Sequence, residues 1–146
     1  MGYYGIDWDH TMSHGGVLVE FAYEVKTEKS LSEALAAVQA ALAERKFSVL
    51  WELNVTQTLE SKGFDLAHEV RILEVCSAPM AKRAFETNPA AAYFLPCKVV
   101  VKRVDGQTTI GFTRPGVLMA LMDDPRFDAL AQEVEAALAA AVDAAR

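Results

Sequence analysis

No run of apolar residues in this chain approaches the roughly 18 that a membrane-spanning helix needs, so no membrane partner is expected. Basic residues are the scarcer charge. There are 14 Lys and Arg against 20 Asp and Glu, a net charge of −6. Broad nucleic-acid binding requires a basic face to displace phosphate counterions, and this balance argues against that partner. No phosphate loop or dinucleotide fingerprint occurs, and Ser48, Ser61 and Ser77 lack any Gly-x-Ser-x-Gly setting for a nucleophile. The start, Met1 to Asp7, has neither the basic lead nor the apolar core of a signal peptide, and Ile6 stands where a myristoylation pattern wants Ser or Thr. A cytoplasmic, reducing setting is therefore the expectation, with free thiols at rest. Cysteine itself is nearly absent, at two residues.

What is present describes an ordinary globular chain of 146 residues, 52% hydrophobic and 23% charged. That length makes one domain able to bury roughly 70% of its unfolded surface, and no repeat or low-complexity linker divides it. Residues 1–16 read as a lead-in closed by Gly15-Gly16. Alternation over 17–26 (Val17, Val19, Phe21, Tyr23, Val25) predicts a half-buried strand. Ser30 and Glu33 have capping-box spacing, and Leu31, Ala34, Leu35, Val38 and Leu42 form the stripe of the helix that follows.

A second strand is predicted over 47–56, with Phe47, Val49, Trp51, Leu53 and Val55 on its core face and a polar connection over 58–65. A third covers 68–76. Pro79 suits the first turn of a short helix, which Asn88-Pro89 ends because a residue before proline is pushed out of helical geometry. Strands over 98–104 and 107–113 flank Asp105-Gly106, which fits a two-residue hairpin turn. Arg114-Pro115-Gly116 breaks the last strand, and a helical turn follows over 117–122. Asp124-Pro125 reads as N-cap and first residue of a long C-terminal helix over 124–145, with a stripe through Phe127, Leu130, Val134 and Leu138.

The two cysteines each sit beside a proline at the edge of a strand-like run, in Cys76-Ser77-Ala78-Pro79 and Leu95-Pro96-Cys97. Whether they can act together depends on topology. A helical crossover to a parallel strand would put them at opposite ends of the sheet, near 25 Å apart for about eight residues at 3.3 Å each. If the third and fourth strands are antiparallel neighbours, with the short helix as an excursion, both lie at one end and can approach disulfide distance.

Strand, helix, four strands interrupted by a short helix, then a long helix: in this order the chain resembles the domain-of-unknown-function 302 family. The residues that carry the likeness are Glu74-Val75-Cys76, Ala81, Asn88-Pro89, Pro96-Cys97 with the basic Lys98 and valine run behind it, and Asp105-Gly106. It covers roughly 17–115. Members similar to this chain carry Asn then Pro directly after the first cysteine; here Ser77 and Ala78 stand there, with Pro79 one place later. The resemblance implies the antiparallel-neighbour arrangement and a tendency to form homodimers. It brings no established reaction.

The expected fold is thus α+β: a single antiparallel sheet of about five strands, helices on one face, and a short helical excursion between the third and fourth strands. The candidate site is the thiol pair Cys76 and Cys97, with Ser77, Met80, Tyr93 and Phe94 lining a small pocket beside it. The expected ligand is a small molecule, a sulfur species such as a persulfide, or a soft metal. The plain alternative is that small free cysteines simply pack near strand ends. Lys98 could lower a neighbouring thiol's pKa, but successive strand residues face opposite ways.

The remaining residues offer less. His10 and His14 have the i, i+4 spacing of metal ligands without a third ligand nearby, and His68 reads as structural. Glu20, Glu24, Glu52 and Asn54 would gather into a polar cluster if their strands adjoin, but solvated sheet surface is the favoured reading. A binding or accessory role is favoured over catalysis, because no general base is fixed beside the cysteines. A thiol redox or sulfur-handling enzyme and a purely structural dimer are the alternatives.

Overall fold

The structure is a computed structural model that describes residues 16–18 and 21–146. His10, His14, Glu20 and the lead-in up to residue 15 lie outside the described residues. One antiparallel sheet is built from β1 (Gly16–Leu18), β2 (Ala22–Thr27), β3 (Ser48–Asn54), β4 (Glu69–Cys76), β5 (Cys97–Val104) and β6 (Gln107–Thr113). Its order is β1-β2-β6-β5-β4-β3. The helices are α1 (Leu31–Glu44), α2 (Val55–Glu60), α3 (Ala78–Thr87), α4 (Pro115–Ala120) and α5 (Asp128–Ala145).

Local chemistry accounts for most of these boundaries. Ser30 and Glu33 form the reciprocal capping box that starts α1, and Leu31, Ala34, Val38 and Leu42 are buried along it. Asp105 and Gly106 both take positive φ, 51° and 79°, as a two-residue hairpin demands. Asp124 accepts a hydrogen bond from the Arg126 N–H, but the turn it caps is a short 3-10 segment, Pro125–Phe127, and α5 proper begins at Asp128. Asn54 does the same for α2 by accepting from the Gln57 N–H. This helix takes up Val55 and Thr56, which the alternation assigns to a strand, and part of the expected connection.

The register aligns a row of side chains across the sheet: Tyr23, Phe112, Val99 and Leu73. Beside it run Val25, Ile110 and Val101. Both rows are buried, covered by α1 and by Leu130, Val134, Leu138, Ala141 and Val142 of α5. Tyr23 also donates a 2.7 Å hydrogen bond to Asp143 Oδ1, which ties α5 to β2. Gly111 lies on the other face, where a Cβ would come within 2.8 Å of the Tyr23 carbonyl oxygen. Only glycine allows β2 and β6 to approach this closely.

Two expectations change. The run over 17–26 is two strands, β1 and β2, paired with Leu18 opposite Tyr23. A two-residue period continues through a chain reversal without announcing it, and Phe21 is exposed. In β3 the register shifts between Val49 and Trp51, leaving Leu50 as an extra residue. Val49 still faces the core side with Val75, but Trp51 and Leu53 now sit opposite Glu74 and Ile72 on the face away from α1 and α5. Trp51 is consequently 54% exposed and does not belong to the core. β3 is an edge strand, where bulges are common.

Truncation should separate the two aromatic positions. Phe112→Ala should cost about 3–5 kcal/mol of unfolding free energy, and Trp51→Ala about 1 kcal/mol or less, measured by urea denaturation. Equal losses would contradict the face assignment.

Candidate functional site

Cys76 is the last residue of β4 and Cys97 the first of β5, and the two strands are antiparallel neighbours with Val75 opposite Cys97. The segment between them, α3 followed by a 3-10 turn over Pro89–Tyr93, is an excursion that leaves and rejoins the same end of the sheet. The cysteines are one step out of register. With strands about 4.8 Å apart and a rise of about 3.3 Å per residue, their Cα atoms are about 6 Å apart. The pleat separates their side chains, however. Cys97 follows Val99 and Val101 on the covered face and packs against the core, whereas Cys76 follows Glu74 and Ile72. Both thiols are free and half-buried.

Electrostatics keep Cys97 protonated. Burial pushes its thiol up to about 11, and the nearby acidic groups of Cys76 and Glu74 push in the same direction. The adjacent Lys98 is occupied elsewhere: its Nζ donates to Glu74 Oε1 at 2.6 Å, on the face away from Cys97. A thiolate is what nucleophilic or metal-binding chemistry requires, and these surroundings oppose it. Among the described residues no cluster of three or more His, Cys, Asp or Glu could hold a metal ion.

Two hollows meet at Cys97. The inner one, about 180 Å³, lies between α3, the β3 bulge and α5; Phe47, Leu50, Met80, Ala84, Leu130 and Val134 are among its walls. Its lining is apolar except at Cys76, Cys97 and Ser77. Ser77 is only 6% exposed, and its hydroxyl makes no cap hydrogen bond to α3. The outer cleft, about 610 Å³, is bounded by Trp51, Tyr93, Phe94, Glu74 and Lys98. Leu95, Pro96, Cys97 and Met119 form the wall between them. Of the expected lining residues, Ser77 and Met80 thus serve the inner pocket and Tyr93 and Phe94 the outer cleft, where Tyr93 is 88% exposed.

Sequence reasoning missed Leu50, Ala84, Phe85 and Met119. The i, i+4 pairs Met80–Ala84 and Ala81–Phe85 on α3 were a usable signal for two of them. Leu50 had none, since only the bulge turns it toward the inner pocket while sending Trp51 to the outer cleft. The polar cluster does not assemble: Glu24 on β2 and Glu52 and Asn54 on β3 are separated by β6, β5 and β4. Glu24 pairs instead with Lys102, and Glu52 accepts from Gln39. His68 precedes β4, its carbonyl accepting from Thr56 Oγ1 at 2.7 Å. No helix among the described residues is long and apolar enough to cross a membrane.

Comparison with known proteins places this geometry among relatives. Residues 23–145 match the family described as a domain of unknown function, DUF302. The crystal structure of an uncharacterised conserved protein of that description from Bacillus stearothermophilus is similar, with 37% sequence identity and a TM-score of 0.85. The match covers 88% of this chain and 100% of that one. No curated protein matches the chain.

The raised Cys97 pKa gives a kinetic expectation. In a Cys76→Ser background at pH 7.5, iodoacetamide should modify Cys97 about 100-fold more slowly than in the urea-unfolded chain, because only the thiolate reacts. The rate should climb toward pH 11. Because the folded-state pKa is the higher one, unfolding releases a proton in this range, so stability should fall as pH rises from about 9 to about 11. Rapid labelling of folded protein at neutral pH would contradict the burial of this thiol.

Proposed function

The chain belongs to the DUF302 family, whose description names no reaction, and from its own geometry we propose that it is a small-molecule binding or accessory protein. The observation that carries this reading is the apolar pocket at the end of the sheet, with Cys97 and Ser77 in its wall. Binding sites of this kind combine an apolar lining with few, convergent polar groups. At about 180 Å³ the pocket is smaller than the 300–1,000 Å³ of sites for drug-sized ligands. The thiol redox or sulfur-handling alternative has less support, because burial and two acidic neighbours oppose the Cys97 thiolate and Lys98 is engaged by Glu74.

Methyl NMR of the full chain tests the reading with benzene, a probe small enough for an apolar pocket of this size. Saturable shifts at Met80, Leu95 and Met119 are expected, and Ala81→Phe, which fills the pocket from half-buried α3, should abolish them. Shifts scattered over the surface, or binding indifferent to that substitution, would count against it.

A homodimer is the second part of the proposal. What supports it is the sheet face opposite α1 and α5, which among the described residues leaves Trp51 54% exposed beside half-exposed Leu53, Ile72 and Val100. Light scattering at micromolar concentration should give twice the chain mass of 15.9 kDa; a value equal to the chain mass would exclude the dimer.

A further inference from the structure

A third cleft runs between α4 and α5 and shares no lining residue with the two hollows at Cys97. Its volume is about 640 Å³, inside the range of about 300–1,000 Å³ found for small-molecule sites. One ion pair closes it on the polar side. Arg114, between β6 and α4, donates from Nε to Glu135 Oε2 of α5 at 3.2 Å, and the Gly116 N–H donates to Glu135 Oε1 at 3.2 Å.

That pair leaves a donor over. Arg114 Nη1 is buried and has no hydrogen-bond partner. Among the described residues one other buried side-chain atom shares this condition, Arg71 Nε, and Arg71 borders none of the three hollows. A guanidinium cannot shed its protons, so a buried N–H without an acceptor keeps its full desolvation cost. Glu135 has the converse surplus: each of its oxygens accepts one bond, and a carboxylate oxygen has a second lone pair to offer.

Charge decides what kind of head fits. Arg114 and Glu135 cancel, and no other ionised side chain lines the cleft. A carboxylate would be repelled by Glu135, and an ammonium by Arg114. A carboxamide carries an acceptor and a donor in one neutral planar group. Beyond the head the walls are Val117, Ala120, Leu121 and Ala136. Leu121 is 70% exposed, apolar surface that a ligand's alkyl body would remove from water.

We propose that the α4–α5 cleft binds a neutral carboxamide with a short alkyl body. Its carbonyl oxygen accepts from Arg114 Nη1, its N–H donates to Glu135, and its alkyl chain lies on Val117, Ala120, Leu121 and Ala136. The Arg114 side chain is 18% exposed, and a small rotation of the guanidinium brings Nη1 to the ligand. This site is separate from the Cys97 pocket, so its failure leaves the binding reading above untouched.

The test is a methyl NMR titration of the full chain with hexanamide, and with hexanoate and hexylamine as the same alkyl body bearing either charge. Hexanamide should bind saturably and shift the Val117, Ala120, Leu121 and Ala136 methyls, while Met80 at the inner pocket stays unmoved. It should bind about tenfold tighter than either charged analogue, the size of one well-made hydrogen bond. Arg114→Lys keeps a cation for Glu135 but removes the second donor arm, and should weaken hexanamide about tenfold. Ala120→Trp fills the cleft from an exposed position, where the fold tolerates bulk, and should abolish binding. A charged analogue binding as tightly as the amide, shifts elsewhere, no saturable shift, or affinity unchanged in either variant overturns the assignment.

Discussion

Burial of one sheet face under α1 and α5 governs the rest of the molecule. Tyr23, Phe112, Val99 and Leu73 form a continuous row on that face, and the two helices lie across it with the small residues Ala34, Ala41, Ala131 and Ala141 buried among the larger ones. Once this side is committed, the strand pleat decides the fate of every other side chain by parity. Cys97 is drawn toward the core. Glu74, Lys98, Glu24 and Lys102 are left on the open side, where they pair with each other across strands.

The site arises where that parity is interrupted. Between β4 and β5 the chain makes an excursion long enough for α3 to lean on α5, and the space under it cannot be filled by strand side chains because the strands have ended. On the edge strand the bulge at Leu50 breaks alternation once. It turns one hydrophobic side chain toward the inner pocket and the next toward the outer cleft. Both hollows therefore follow from departures from regular structure set against a regular sheet. The same placement disfavours thiol chemistry: a cysteine packed on the core, flanked by acids, is held as a neutral thiol.

Much of this was readable along the chain. Capping at Ser30, the Asp105-Gly106 hairpin, the proline-started α3 and the stripes of α1 and α5 are local signals, each expressed by residues within a turn or two of one another. Membership of the cysteines in one end of the sheet followed from resemblance rather than spacing. The failures share one character. The alternation over 17–26 continued through a reversal, and that over 47–56 continued through a bulge and into α2.

The sequence by itself determined most of the helix and strand segments, the reversal before β2 and the short α2 excepted, because capping, turn chemistry and hydrophobic period act over a few residues and need no partner. It also determined that Cys76 closes one strand and that Cys97 opens the next along the chain. Only the tertiary structure decided which face each strand turns inward, that Trp51 stands in the open while Leu50 and Ser77 border a pocket, and that Cys97 stays protonated. Those outcomes depend on strand order, one bulge and the packing of α3 against α5. All three are contacts between residues distant along the chain, which no local pattern encodes.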